Sequence, residues 1–375
     1  VTGRPIRAIV VLGTTGMGGA ERQALWLAGH LAADPTLRVT VAAPGLHGAV
    51  IDRCAALGLP YHPLPLFESR RPTVCLARML HAALALRRLR PDLLLPFTWP
   101  ANVMCGLFRR AAGARWTLWN QRDAGLGRLV PGLERRATAG CSGFAANGPD
   151  GLSFLAGALG VPAAEIHLLR NALDLPTPLA TRASWRTRLG LDDDRSAAVM
   201  VANLQRHKDH ATLLEGWALL PRPRPVLVLA GRPDDTAASL RAQAVRLGIE
   251  EDLRWPGAVE DVAGLLGACD FGVFSSPSEG CPNGLIEMLA AGLPCVASDI
   301  AGVRFAAGGG GALLVPAGDP TAFAGAVRRL LADGRLRADL AAGARAAAAA
   351  FAPQPALVAA CATLRAATRG QWQPA

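Results

Sequence analysis

The sequence predicts an α/β protein built from two doubly wound, Rossmann-like domains in tandem. Three observations lead there. The chain has 375 residues, more than a single core ordinarily fills. Short apolar runs of strand length alternate with helical stretches, as parallel sheets with crossover helices require. The alternation then begins afresh close to residue 197, past a proline-rich segment.

Ile6–Leu12 is a nearly continuous apolar run, which predicts a buried parallel strand. Runs at Val39–Ala43, Leu93–Leu95, Trp116–Trp119, Phe144–Ala146 and Ile166–Leu169 continue the first set, with helices such as Glu21–Ala33 and Val74–Leu89 between them. The second set comprises Ala197–Val201, Val226–Leu229, Leu253–Trp255, Phe271–Phe274, Cys295–Ala297 and Leu313–Val315. Leu175-Pro176-Thr177-Pro178 lies just past a boundary placed near residue 170, so the domains are expected at 1–170 and 171–352. The Ala-rich stretch Ala341–Ala350 is helix-prone. A last helix, roughly Ala356–Ala367 within 353–375, follows Pro353 and Pro355, residues suited to a helix start.

A hydrophobic content of 51% with dispersed charge argues for a folded chain and against disorder. No uninterrupted apolar run reaches the eighteen or so residues of a membrane span, and Val1-Thr2-Gly3-Arg4-Pro5 enters a strand without a secretory pattern. Eight scattered cysteines without a Cys-x-x-Cys pair suggest reduced, apolar-packed thiols. The expectation is a cytoplasmic protein. Charge is uneven: residues 1–170 carry 19 Arg against 9 acidic groups, whereas 171–375 balance 20 against 20. The clusters Arg70-Arg71, Arg87-Arg88 with Arg90, Arg109-Arg110 and Arg135-Arg136 suit an anionic partner such as a lipid surface or a pyrophosphate-linked acceptor. Nucleic acid is disfavoured, because no aromatic residues interleave with the clusters.

The most informative segment is Ser275-Ser276-Pro277-Ser278-Glu279-Gly280-Cys281-Pro282-Asn283-Gly284-Leu285-Ile286-Glu287. It leaves a strand and enters a helix expected from Leu285, with Glu287 in the first turn. Amides at a helix start and the positive end of its dipole attract phosphate. Gly280 and Gly284 allow close approach of a ligand to the main chain. A carboxylate next to a phosphate site suits neutral hydroxyl groups, so phosphate beside polyhydroxyl points to a nucleotide sugar.

The Glu279–Glu287 spacing and the continuation Met288-Leu289-Ala290-Ala291-Gly292-Leu293-Pro294-Cys295-Val296-Ala297-Ser298-Asp299 resemble the Glu-x7-Glu signature of retaining glycosyltransferases of family four. The resemblance implies the GT-B fold, with two Rossmann-like domains facing an interdomain cleft and the last helix crossing back to the N-terminal, acceptor-side domain. It also implies that Glu287 holds ribose hydroxyls, that Glu279 holds the donor sugar, and that Gly280, Asn283, Gly284 and Leu285 bind the donor. Val201-Ala202-Asn203-Leu204-Gln205-Arg206-His207-Lys208-Asp209-His210 looks like the family's donor-phosphate motif, with Lys208 at its lysine and Asn203 where most members have Arg. Lys208 is the only lysine in the chain. A compact ammonium neutralises a leaving diphosphate, and Arg206 is a candidate for the missing second charge. Gly13–Glu21 is similar to the family's "GGAE" loop, which places Gly18 and Gly19 at the donor. Gly257-Ala258-Val259 matches the segment that holds the base, through Val259. Arg170-Asn171-Ala172-Leu173-Asp174 resembles a junction motif whose Asn171 and Asp174 organise a hinge turn, and Gly310–Pro316 matches a late structural strand.

Two positions depart from the family. Many members carry a first-domain His near the donor sugar, where this chain has Trp119-Asn120-Gln121-Arg122-Asp123. Arg122 is left as an electrostatic candidate, with Asn120 or Gln121 for hydrogen bonding. Phe305 stands where a donor-contacting Glu is expected. Asp192-Asp193-Asp194 reads as a solvated turn, and His207-x-x-His210 is too sparse for a metal site, so no metal is expected. The combined expectation is a retaining, hexosyltransferase-type enzyme using a UDP- or GDP-linked sugar and an acceptor hydroxyl of a glycan, lipid-linked or small molecule. Val74–Leu89 is a basic amphipathic helix suited to an anionic inner membrane face. The rivals are a sugar-nucleotide epimerase, a non-catalytic GT-B partner subunit and a membrane-surface adaptor.

Overall fold

The computed structural model describes residues 4–69, 71–125, 132–173, 175–192 and 194–374. Arg70, Asp174 and Asp193, which entered the sequence reading, lie outside them. The chain forms two compact units: Val1–Ala172 with Pro353–Ala375, and Leu173–Ala352.

Unit one contains seven parallel strands: β1 (Ile6–Val11), β2 (Leu37–Pro44), β3 (Tyr61–Leu64), β4 (Leu93–Pro96), β5 (Trp116–Gln121), β6 (Gly143–Ala146) and β7 (Ile166–Leu168). They are ordered β3-β2-β1-β4-β5-β6-β7, so the winding reverses between β1 and β4. Helices such as Gly19–Ala32, Pro72–Arg87 and Trp99–Ala112 cover the sheet, and β1 and β4 are buried almost throughout, as a doubly covered sheet demands. β3 escaped the sequence pattern because Pro63 interrupts it. It is an edge strand, where a missing N–H is tolerated, and the Tyr61 hydroxyl ties it down through the Ala43 and Gly45 carbonyls, both at 2.8 Å. The last helix, Pro353–Ala367, contributes Ala360, Leu364 and Ala367 to the core around β1 and β2.

Unit two contains six parallel strands: β8 (Ala197–Val201), β9 (Val226–Ala230), β10 (Leu253–Gly257), β11 (Phe271–Phe274), β12 (Cys295–Ser298) and β13 (Ala312–Val315). Their order is β10-β9-β8-β11-β12-β13, with the reversal between β8 and β11. Asp261 fixes the entry into this unit. Its carboxylate accepts from Leu179 N and Ala180 N at 3.0 Å, from Trp185 Nε1 at 2.8 Å and from Gly264 N at 3.0 Å.

The segment Gly334–Ala367 is long and apolar enough to cross a membrane by length and composition, although charged residues such as Arg345 and Arg365 interrupt it. Here it is two helices broken at Ala352, one in each unit. Pro353 cannot continue the helix that precedes it.

Candidate functional site

In open α/β sheets, ligands bind beyond the carboxyl ends of the strands where the winding order reverses. In unit two that point lies between β8 and β11. The segment carrying Lys208 leaves β8, and the segment carrying Glu279 and Glu287 leaves β11. Sheet topology therefore brings together two motifs about 70 residues apart in sequence.

Val201 ends β8, and the chain makes a 3-10 turn over Arg206–Lys208. Asp209 then adopts a left-handed conformation (φ 49°, ψ 43°) and caps the helix His210–Ala218 by accepting from Thr212 N. This geometry delivers the Lys208 ammonium to Glu279: Nζ and Oε1 are 2.5 Å apart, with both side chains largely buried. Lys208 Nζ also stands 5.9 Å from the centre of the Phe274 ring. The Ser276 hydroxyl lies 2.6 Å from the same carboxylate oxygen. The second oxygen, Oε2, has no partner among the described residues. Asn203, where the resembling family has Arg, accepts from Arg232 N at 3.1 Å and ties the exit of β8 to that of β9.

The helix after β11 runs Asn283–Ala290, two residues earlier than expected. Pro282 is its extended N-cap, so Asn283 and Gly284 belong to the helix and Glu287 falls in the second turn, not the first. Amides at a helix start attract an anion, and among the described residues the N-cap Pro282 makes no side-chain cap hydrogen bond to those of Gly284 and Leu285. Gly284 is required for packing: a Cβ there would stand 2.0 Å from the Val201 carbonyl oxygen. The helix start therefore sits directly on the end of β8. Glu287 is 1% exposed. Gly280 is buried, and its loop is backed by Gly302, where a Cβ would meet the Glu279 carbonyl at 2.1 Å.

Arg206 is exposed on the 3-10 turn that carries Lys208. It lines an open depression of about 550 Å³ with Gln205, His207, Asp234, Asp235 and Pro277, and its amide donates to Asp235. Val259 follows the edge strand β10, two strands away from β8. Phe305 packs edge-on against Phe351, with ring centres 6.1 Å apart. His210 is the first residue of the helix His210–Ala218. Its ring is 1% exposed, and neither nitrogen has a hydrogen-bond partner among the described residues. Burial, reinforced by the Lys208 charge, pushes its pKa down to about 4. The His207 pKa is lowered by the same two causes.

In unit one, Gly18 is the extended N-cap and Gly19 the first residue of the helix Gly19–Ala32. The Glu21 carboxylate accepts from Gly18 N at 3.1 Å, half of a capping box. Asn120, Gln121 and Arg122 lie at the end of β5. Asn120 is 1% exposed, and its Nδ2 donates to Pro96 O and Leu118 O. Gln121 accepts from Trp119 Nε1 and donates to Asp123. Arg122 stacks over the Phe97 ring at 4.7 Å and reaches Asn171 Oδ1 at 3.3 Å. These contacts bind the ends of β4, β5 and β7 together. Among the described residues no three His, Cys, Asp or Glu side chains gather as a metal site.

Residues 17–176 match the family described as Glycosyltransferase Family 4, and residues 195–333 match Glycosyl transferases group 1. A D-inositol 3-phosphate glycosyltransferase of Jonesia denitrificans is 30% identical over 197 residues, covering 48% of this chain and 46% of that protein. The putative glycosyltransferase EpsF of Bacillus subtilis is 31% identical over 210 residues, 54% of each chain. The chain thus spans about half the length of the curated relatives it matches. The crystal structure of Anabaena Alr3699/HepE in complex with UDP-glucose superimposes with a TM-score of 0.82 at 21% identity, covering 95% of this chain and 99% of that one. The fold is thereby GT-B.

Proposed function

Because the chain belongs to the group 1, family four glycosyltransferases, we propose that it is a retaining enzyme transferring a hexosyl group from a nucleoside diphosphate sugar to an acceptor hydroxyl. The observation that carries this reading is the pairing of Lys208 with Glu279 at the β8/β11 reversal, beside the start of the helix Asn283–Ala290. The amides of Gly284 and Leu285 bind the diphosphate. The Lys208 ammonium, with three protons to donate, turns from Glu279 toward the leaving phosphate and stabilises its growing charge. Glu279 Oε2 accepts a hydroxyl of the donor sugar, and Glu287 accepts the ribose hydroxyls. The solved relative holds UDP-glucose, which makes a UDP-linked sugar the first donor to try and a GDP-linked sugar the second. No metal enters this scheme, since Lys208 and the helix dipole supply the positive charge.

The acceptor is a glycan, lipid-linked or small-molecule hydroxyl, and the site of action is the cytoplasmic face of a membrane. The support for a membrane surface is the helix Pro72–Arg87. It bears no acidic residue, exposes Leu80 and Leu84, and carries Arg78 and Arg87 beside Arg88. Co-sedimentation with anionic vesicles, compared with neutral ones, tests that part.

The deciding experiment is thermal shift across UDP, GDP, ADP and dTDP with wild type and Glu287→Ala. A nucleotide at ~100 times its dissociation constant adds about 2.7 kcal/mol to the folded state. A shift with one nucleotide, lost in the variant, supports the reading. Proton NMR of the released sugar or product then reports the anomeric outcome. Absence of any shift, together with no turnover of the matching nucleotide sugars, overturns it.

A further inference from the structure

Three successive carbonyls of the turn bearing Lys208 face two adjacent hydroxyls at the exit of β11. Ser276 Oγ lies 2.8 Å from His207 O. Ser275 Oγ lies 3.1 Å from Lys208 O and 3.0 Å from Asp209 O. Both serines are buried, at 1% and 0% exposure, where a hydroxyl is costly unless it is bonded. Asp209 holds a left-handed conformation, which an Asp reaches more readily than most residues because its side chain bonds locally, here to Thr212 N. Ser275 holds the carbonyls on either side of it in place. Ser276 Oγ also approaches Glu279 Oε1 at 2.6 Å, while that oxygen accepts from Lys208 Nζ. A hydroxyl has one proton, so Ser276 divides it between the backbone of the turn and the carboxylate paired with Lys208.

We propose that Ser275 and Ser276 are positioning residues that fix where the Lys208 ammonium points. Ser275 clamps the left-handed turn. Ser276 couples that turn to Glu279, so that release of Glu279 by Lys208 leaves the carboxylate with a donor and the turn in place. The inference rests on the donor-phosphate role of Lys208 given above, and it adds residues to which that reading assigns no task.

Lys208 is the only lysine, so biosynthetic ¹³C-lysine labelling yields the side-chain signals of one residue. The wild-type Cε resonances are expected to be displaced by Glu279 and the Phe274 ring. In Ser276→Ala they move toward those of free lysine, and in Ser276→Thr, which keeps the hydroxyl, they stay near the wild-type position. Unchanged Lys208 signals in Ser276→Ala overturn the proposal. A second readout is UDP affinity in a double-mutant cycle. Ser276→Ala is expected to weaken binding about tenfold in wild type and less than twofold in a Lys208→Ala background. Equal losses in both backgrounds mean that the hydroxyl only supports the fold, which also overturns the proposal. Ser275→Ala serves in both assays if Ser276→Ala does not fold. Failure of the wild type to bind any nucleotide refutes the transfer reading alone, because the lysine signals still decide whether the serines position Lys208.

Discussion

His210 offers the sharpest quantitative test of the geometry around Lys208. Its imidazole is buried at the first turn of the helix His210–Ala218, without a hydrogen bond among the described residues. Its pKa is pushed from 6.5 to about 4 by burial and by the neighbouring Lys208 and His207. The folded protein therefore refuses a proton that the unfolded chain accepts. Stability from this residue is intact above pH 6.5 and is lost as pH falls toward 4. The full loss is roughly 3 kcal/mol, and about 2 kcal/mol of it falls between pH 7 and pH 4.5. The perturbation is His210→Leu, which removes two unpaired buried nitrogens and so leaves stability at pH 7 equal or higher. His207 and Asp261 are shifted downward as well and also lose stability in acid, so the quantity to compare is the difference between wild type and variant. Hydrogen exchange of the helix His210–Ala218 in urea, at both pH values, isolates unit two. Wild type should lose about 2 kcal/mol more than the variant over that interval. Parallel losses, or a His210 titration midpoint by NMR above 6, would refute the burial argument.

Gly284→Ala should drive the start of the helix Asn283–Ala290 off the end of β8, because the new Cβ lies 2.0 Å from Val201 O. A cost of about 1–3 kcal/mol is expected from overpacking, with loss of UDP binding in calorimetry. Gly325→Ala, in a helix with open space around it, is the neutral or slightly stabilising control. Asp261→Ala removes an acceptor of four hydrogen bonds and should cost about 3 kcal/mol or more in urea unfolding, with Asp261→Asn in between. Cysteine titration with a colorimetric disulfide should label Cys361 first under native conditions. Cys141 should lag, since burial pushes its thiol up to about 12, and all eight should react in denaturant.

What the sequence made legible was periodicity and charge. Phe271–Phe274 and Ala197–Val201 are each continuous apolar runs bounded by polar turns, and the structure places those strands between the same residues. Lys208 and the two Glu residues stood out because a lone lysine among arginines and two spaced carboxylates are rare patterns. β3 was illegible because Tyr61-His62-Pro63-Leu64 has neither alternation nor an apolar run. Its pairing with β2 comes from tertiary context that no window of sequence contains. The helix start at Asn283 was misplaced by two residues because Asn and Gly are poor helix formers. Here close packing of Gly284 on Val201 outweighs propensity.

The serines show a different limit. Ser275 and Ser276 lie inside the most informative segment of the chain, yet a hydroxyl acquires meaning only through the group it meets, and their partners are carbonyls 66 to 69 residues away in sequence. Charged residues reveal a site because their burial is expensive and therefore rare. Neutral groups that aim those charges are common everywhere and leave no signature. Asp209 makes the same point: Asp tolerates a left-handed backbone, as it does here, but is equally at home in ordinary turns, so the residue alone does not announce the conformation. The turn is held from outside by β11, so the aim of Lys208 depends on the same sheet reversal that brings Glu279 to it.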